Sequence, residues 1–381
     1  MRVSPHHRSI RTRLAFPLVG LMIASLGCGL GSVSPTATVQ PTEPLVRPTQ
    51  AEVPTATQAT RPLVKPTSAS APAEQPSPSG EVLPLAPDTY VHSSATFALN
   101  PPVGWELEEY DSGATWTDPS GEGRIEVFVN TTGYQLEADA VENLIAANVQ
   151  NYLGLYDNYQ ALDRSIDNFG AIVVTQSLED DGTLYRVTTI YYQEKDVIYE
   201  VDFWASVDRY GDFAPSFDRI WQEMGVDSGQ ASASIEPYSD SYTFTDPTGL
   251  FEFDVPYLWR YETSTDTYSV VDKFIAPDAS AFVDNIKYDD GSQISKSLAG
   301  AFALDLLHQF YAADIKITDD KVQSDGSERL AWFSQSASYS GTSFFETRGT
   351  TFLMLTYVSN DTMTAIYSPV FDKVLATYQV P

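Results

Sequence analysis

The sequence predicts an α+β protein: two copies of one domain with largely antiparallel sheets, carried behind a disordered stalk. Three observations predict it. Phe97-Ala-Leu-Asn-Pro-Pro-Val-Gly-Trp105 returns as Phe251-Glu-Phe-Asp-Val-Pro-Tyr-Leu-Trp259 at an offset of 154 residues, with both aromatics, Pro102 or Pro256, and Asn100 or Asp254 in the same places. Pro215-Ser-Phe-Asp-Arg-Ile220 returns at the same offset as Pro369-Val-Phe-Asp-Lys-Val374, so both ends of a unit are duplicated in register. Between those ends, period-two runs stand beside helical stripes, which gives strands followed by the helices that cover them. A chain of 381 residues holds two such units of roughly 140 residues, each long enough for its own core.

The chain begins as an export signal does. Arg2, Arg8, Arg11 and Arg13 form a basic region, and Leu14 to Leu26 is an apolar stretch too short for a comfortable membrane span. The only cysteine, Cys28, follows directly in Ala24-Ser25-Leu26-Gly27-Cys28. This resembles the lipobox of bacterial lipoproteins, in which the cysteine takes a diacylglycerol and becomes the new N-terminus. Residues 1–28 are therefore expected to be a lipoprotein-type signal peptide, with Cys28 as the lipidation site and the membrane as a partner through the anchor. The glycines at 27, 29 and 31 are not a phosphate loop, because no strand precedes them and no helix follows.

Residues 29–87 read as a disordered linker. Pro, Thr, Ala and Ser dominate and aromatics are almost absent, so the segment buries too little apolar surface to offset the entropy of ordering. Pro44-Leu-Val-Arg-Pro-Thr49 recurs as Pro62-Leu-Val-Lys-Pro-Thr67, and the composition favours polyproline II, giving a stalk of up to roughly 180 Å when extended.

The first domain is expected over 88–229. Pro101 and Pro102 set a turn between two short strands. Further strands are expected at Arg124–Asn130, Ala171–Ser177, Leu184–Tyr192 and Val197–Ala205, and Asp181-Gly182 is a hairpin signal. In the last run Tyr199, Val201, Phe203 and Ala205 share one face, and Glu200 and Asp202 point away. Val141, Leu144, Ile145, Val149 and Tyr152 form one helical stripe; Phe217, Ile220, Trp221 and Met224 form another, with Pro215 in its first turn. A polar bridge, Ser228 to Asp240, leads to the second domain, expected over 236–381. There Leu353, Leu355 and Tyr357 replace Tyr199, Val201 and Phe203, and Phe371, Val374, Leu375 and Tyr378 repeat the closing stripe, with Ser368 as candidate N-cap. The stretch from Ser295 to Ala312 is apolar on more than one side, which predicts a helix buried on both flanks, against the sister domain.

These residues carry a resemblance. An opening Phe-x-Phe/Leu-x-x-Pro-x-x-Trp strand, a middle helix, a run of antiparallel strands and a closing helix with Pro-x-Phe-Asp are similar to the PsbP-like family. The resemblance spans each repeat nearly end to end and implies tandem α/β/α sandwich domains that serve as binding or assembly modules without catalysis. The matching positions are fold-forming, so no functional residue is carried over.

The charge is one-sided, with 22 Lys and Arg against 51 Asp and Glu, and residues 88–381 hold 15 of the bases and 47 of the acids. Such a surface repels phosphate backbones, so nucleic acid is excluded as a partner; it chiefly serves solubility. No cofactor or metal site is expected: there is no second cysteine, and His92 and His308, the only histidines of the two domains, lack partners at ligand spacing. His308, on an apolar helix face, reads as a packed residue. Glu179-Asp180-Asp181-Gly182 and Asp289-Asp290-Gly291 place Asp180, Asp181, Asp289 and Asp290 as weak cation candidates, although Asp-Gly equally serves a solvated turn. Trp105 and Trp259, kept in both copies, are expected in the cores. Trp116, Trp204 and Trp332 have no aromatic counterpart in the other copy and are the candidates for contact with a partner, Trp204 on the outward face with Glu200 and Asp202.

Three roles fit. The first is a surface-displayed, lipid-anchored, non-catalytic binding or assembly module for an extracytoplasmic protein or small ligand. The second is a receptor that takes a small ligand or cation in a cleft between the repeats. The third is a carboxylate-dependent hydrolase of cell-wall polymers. The anchor has a direct test: the protein should sediment with membranes, and Cys28→Ala should move it to the soluble extracytoplasmic fraction, whereas unchanged fractionation would rule out lipidation at Cys28.

Overall fold

Alternation along the central strands dictates the architecture. In Val197–Ser206, Tyr199, Val201 and Phe203 project into one hydrophobic cluster, and Ile198 and Trp204 into two others on the opposite face. A strand buried on both sides needs a layer on each side. The computed structural model describes residues 83–324 and 326–380. Cys28 and the segments expected to be an export signal and a linker lie, up to residue 82, outside the described residues.

The first repeat contains Tyr90–Val91 (β1), Phe97–Leu99 (β2), Glu106–Tyr110 (β3), Gly113–Thr117 (β4), Gly123–Thr131 (β5), helix Ala138–Asn151 (α1), Asp157–Ile166 (β6), Ile172–Asp180 (β7), Thr183–Glu194 (β8), Val197–Ser206 (β9), helix Tyr210–Glu223 (α2) and Gly225–Val226 (β10). A short helix, Ser228–Ser234 (α3), follows. The second repeat contains Ser241–Thr245 (β11), Glu252–Pro256 (β12), Arg260–Thr265 (β13), Ser269–Ile275 (β14), Ala281–Tyr288 (β15), helix Lys296–Phe310 (α4), Lys316–Val322 (β16), Glu328–Ser334 (β17), Tyr339–Arg348 (β18), Thr351–Asn360 (β19) and helix Thr364–Thr377 (α5). The two large sheets run β3-β4-β5-β9-β8-β7-β6 and β13-β14-β15-β19-β18-β17-β16, with seven strands each and every pairing antiparallel. The order is the same in both, so the fold is α+β with two tandem antiparallel domains.

α2 covers one face of the first sheet, where Phe213, Phe217 and Ile220 pack on Ile125, Val127, Val201 and Phe203. Each such side chain contributes about 1.5–3 kcal/mol on burial. α1 covers the opposite face through Leu144 and Ile145, against Val174, Tyr191 and Ile198. Asp181 and Gly182 both have positive φ, 48° and 80°, the pairing a two-residue hairpin needs to follow the twist of its strands. Three sequence expectations change. α2 and α5 begin earlier than their prolines suggest, at Tyr210 and Thr364, so Pro215 and Pro369 lie inside the helices and Ser368 is not an N-cap. Each proline forgoes one backbone hydrogen bond, a loss that the apolar anchoring of the helix outweighs. The bridge after the first domain is partly helical: the Asp227 side chain accepts from the Gln230 N–H and caps α3.

The third change concerns which helix lies between the repeats. α4 packs on its own sheet through Ala299, Ala303, Leu306 and Leu307, and Leu298 is 61% exposed. The sister contact is made by α1 instead. The Asn151 side-chain amide, buried, donates to the carbonyls of Tyr257 (2.6 Å) and Trp259 (2.8 Å). Gln150 donates to the Tyr261 carbonyl at 2.8 Å and accepts from the Tyr261 N–H at 2.9 Å. Tyr261 sits in β13, the edge of the second sheet, so Gln150 satisfies backbone groups that an edge strand otherwise leaves open to pairing, and Asn151 holds the turn just before it. Leu258 joins the cluster under α1, Asn143 donates to the Pro277 carbonyl, and Tyr134 and Tyr367 share a hydroxyl contact of 3.0 Å. Both repeats accordingly fall in one compact unit. Asn151→Ala leaves two buried carbonyls without their donor and should lower stability by about 1–3 kcal/mol in urea unfolding; an unchanged midpoint would show that the seam does not depend on it.

Candidate functional site

The duplicated Pro-x-Phe-Asp segment builds the same cleft twice. In α2, Phe217 turns inward and stacks on Phe203 of β9, with ring centroids 4.9 Å apart and planes 24° apart. In α5, Phe371 stacks on Tyr357 of β19 at 4.5 Å and 18°. Asp218 and Asp372, one residue further along each helix, consequently face the rim. The first cleft, between α2 and the sheet, has a volume of about 300 Å³ and is walled by Phe169, Tyr210, Phe217 and Trp221. The second, at the same place under α5, has about 460 Å³ and is walled by Phe333, Tyr357 and Phe371. Thr188 and Thr342 line the two at equivalent positions. Asp218 is exposed, but partial desolvation at the cleft raises its carboxyl above the ordinary range. Asp167 is fixed differently: its carboxylate accepts from the N–H groups of Phe169 (2.9 Å) and Ala171 (2.8 Å) and from the indole N–H of Trp221 (2.7 Å). A third cleft of about 460 Å³, beside Tyr378, includes Glu346 and Arg348, whose charges pair at 3.2 Å.

On the opposite face each sheet buries a carboxylate. Glu126 lies opposite Asp202 on the β5–β9 ladder, and Asp284 lies opposite Thr356 on the β15–β19 ladder, so Glu126 and Asp284 hold one position of the fold. Tyr152, which ends α1, donates to Glu126 at 3.0 Å; Tyr311, which ends α4, donates to Asp284 at 2.8 Å. Burial first, and the adjacent carboxylate second, push both tyrosine hydroxyls well above their ordinary range. In the first repeat Tyr159 donates to Gln176, Gln176 to Thr189 and Thr189 to Asp202, the last at 2.5 Å. In the second, the Trp332 indole donates to Ser343, which contacts Thr356 at 2.9 Å. Arg124 lies 3.4 Å from Glu126 and stacks 3.9 Å over Trp204. Burial alone would lower its guanidinium pKa, but the Glu126 charge reverses the sign and holds it above its ordinary value.

The tryptophans expected at a partner surface are inside: Trp116, Trp204 and Trp332 are 2%, 0% and 3% exposed. Trp204 shares its face with Glu200 and Asp202, as its alternation predicted, but α1 and the tyrosines that follow it cover that face. Tyr156 and Tyr185 meet its ring edge-on at 5.3 Å and 5.9 Å. Trp332 lies across Gly341, where any side chain would overlap the indole. Trp259 is fully buried and Trp105 packs edge-on against Phe213 at 5.8 Å, so both serve the cores. His92 is buried, with Nε2 2.9 Å from the Tyr110 carbonyl and Nδ1 2.6 Å from the Ser94 hydroxyl. His308 is exposed near the end of α4, away from the packed face the sequence suggested. Asp180 and Asp181 form the β7–β8 hairpin. Asp289 is held low by the Gly291 N–H and then by the Thr351 and Thr350 hydroxyls, and Asp290 accepts from the Ser292 N–H and the Tyr288 hydroxyl. These acids close turns, and among the described residues no group of three or more His, Cys, Asp or Glu is placed to hold a metal ion. The cleft residues Phe169, Asp167 and Tyr210 carried no sequence signal; Phe217 and Asp218 did, in the duplicated segment.

No family model matches the sequence, and no curated protein matches it. Solved structures are similar in part. PsbP of the cyanobacterium Synechocystis sp. PCC 6803 is 11% identical, with 37% of this chain and 92% of that one covered and a TM-score of 0.28. LpqN of Mycobacterium tuberculosis, described as involved in cell envelope biogenesis, is 16% identical over 36% of this chain and 89% of its own, at a TM-score of 0.26. The immunity protein TplEi of the Pseudomonas aeruginosa type VI secretion system is 12% identical over 78% of this chain and 97% of its own, at a TM-score of 0.19. No residue's role is transferred from any of them.

Burial pushes the Asp284 carboxyl up from 3.8 to about 6, against the opposing pull of Lys273 and Tyr311. The folded state therefore holds this proton more tightly than the unfolded chain. The associated stability is complete below about pH 4 and is lost as pH rises through about 6, a change on the order of 2–3 kcal/mol. Asp284→Asn should remove that part of the pH dependence when urea unfolding is compared at pH 4 and pH 7; an unaltered slope would place its origin elsewhere.

Proposed function

We propose that this chain is an exported, lipid-anchored binding module with two PsbP-like domains and no catalysis of its own, whose ligand seats are the paired clefts under α2 and α5. One observation carries the reading: the duplicated Pro-x-Phe-Asp segment gives both repeats a stacked aromatic floor and an acid at the rim of an open cleft. A core needs the phenylalanine; it has no use for an exposed carboxylate at the next position. Clefts of this size, with aromatic walls interleaved with polar side chains, suit small ligands.

Catalysis on a polymer would ask for accessible paired acids. The acids that pair across strands, Glu126 and Asp202, are 2% and 0% exposed beneath α1, out of reach of a chain in solvent, and of the two acids that reach the first cleft, Asp167 is already held by three N–H donors. Neither His92 nor His308 borders a cleft, so the seats lack a histidine to activate a hydroxyl. The seam between the repeats is filled by Asn151, Leu258 and Gln150, which moves the receptor reading from the junction into each repeat.

A photo-reactive residue at Gln222, on the rim of the first cleft, should capture a molecule on intact cells, read as an added mass on the purified chain. The same residue at Leu298, on the exposed side of α4, should capture none, and Thr188→Trp should abolish capture at 222 by filling the cleft. Equal capture at both positions, or capture that survives Thr188→Trp, would overturn the reading.

A further inference from the structure

We infer that the paired clefts take a small organic cation: an ammonium or alkylated ammonium group carried on an apolar body. This inference rests on the clefts being ligand seats, and it concerns what they recognise. The walls of the first cleft present the open ring of Phe169, edge-on to the half-buried Trp221 at 6.1 Å, above a floor in which Phe203 and Phe217 are closed against each other. Aromatic faces attract cations through the ring quadrupole and accept methyl groups on an ammonium without the loss of hydration that a carboxylate alone would impose.

The carboxylates supply the rest. Asp167 receives three N–H donors, none carrying a full charge, so its negative charge stays uncompensated while its position is fixed against Trp221. Asp218 stands exposed at the rim, and among the described residues no Lys or Arg forms an ion pair with it. The second cleft repeats the arrangement with other residues. Asp361 is fixed by the Ser340 hydroxyl at 2.6 Å, and Asp372 stands open at the rim beside Phe371. One of the chain's own cations lies against an aromatic wall residue in each repeat without pairing with the cleft acids, Arg186 at 4.8 Å from the Tyr210 ring and Lys316 at 5.8 Å from the Phe333 ring. Each repeat thus combines one positioned acid, one open acid and a stacked aromatic pair, although only the stack and the open acid descend from the duplicated segment. The third cleft, with Arg348 beside Glu346, lacks this uncompensated charge.

The test uses the full chain in detergent and two probes of one shape, choline and its uncharged isostere 3,3-dimethylbutan-1-ol, by calorimetric titration. Choline should bind at two sites per chain and the isostere about tenfold more weakly. Asp218→Asn should remove one of the two sites and Asp218→Asn with Asp372→Asn both; these side chains are exposed, so the unfolding midpoint should stay unchanged and report an intact fold. Choline binding should also weaken as salt is raised. Equal binding of both probes, or choline binding that neither substitution alters, would overturn the cation while leaving the clefts as seats. Failure of choline to bind would overturn it too, and capture at Gln222 would then decide whether the clefts bind anything else.

Discussion

Among the carboxylates that each repeat buries, one lies in the middle of its sheet and is met by the hydroxyl of the tyrosine that ends the middle helix. An uncompensated charge there would cost several kcal/mol, so the element that brings the hydroxyl has little freedom in where it sits. That element is the middle helix, whose last turn delivers Tyr152 to Glu126 or Tyr311 to Asp284. With its end fixed, α1 lies at a set height over the sheet, and its outer flank carries Asn143, Gln150 and Asn151 to the second repeat. The junction of the two domains therefore depends on a polar contact inside one of them.

The two faces of each sheet divide the labour. The face under the middle helix is polar at its centre, closed and built for position. The face under the closing helix is apolar, and clefts open along it beside Phe217, beside Phe371 and beside Tyr378. A single helix supplies both the core residue and the rim acid because successive side chains on a helix point about 100° apart. Binding groups can thus be added to this fold without disturbing what holds it.

Much of the fold was legible in the sequence. The offset of 154 residues exposed the duplication, and period-two runs located β5, β7, β8 and β9 within a few residues. β3 and β6 were not legible, because a mostly exposed strand such as Glu106–Tyr110 or Asp157–Ile166 has no buried side to impose alternation. Trp204 shows a different limit. Its neighbours Glu200 and Asp202 mark a polar face, and a polar face reads as a wet one; here Asn148 of α1 donates to Glu200 at 2.7 Å and Thr189 answers Asp202. Sequence gives the polarity of a face, and only packing gives its exposure. The same limit hid the first cleft, whose walls come from the turn before β7, from β7, β8, β9 and α2, five places that no local pattern connects.

The junction is not reciprocal. The first repeat offers a helix and the second offers the edge of a sheet; the corresponding helix of the second, α4, meets solvent, with Phe310, in the place of Asn151 one residue before the terminal tyrosine, 37% exposed. Two like units joined by a twofold axis would have spent the same surface on both sides. Joined head to tail, they form an object with a polarity, a leading face and a trailing face that differ although the units share one fold. Copies of equal ancestry are thereby placed in unequal surroundings, and the second can diverge along α4 without touching the junction that orders the pair.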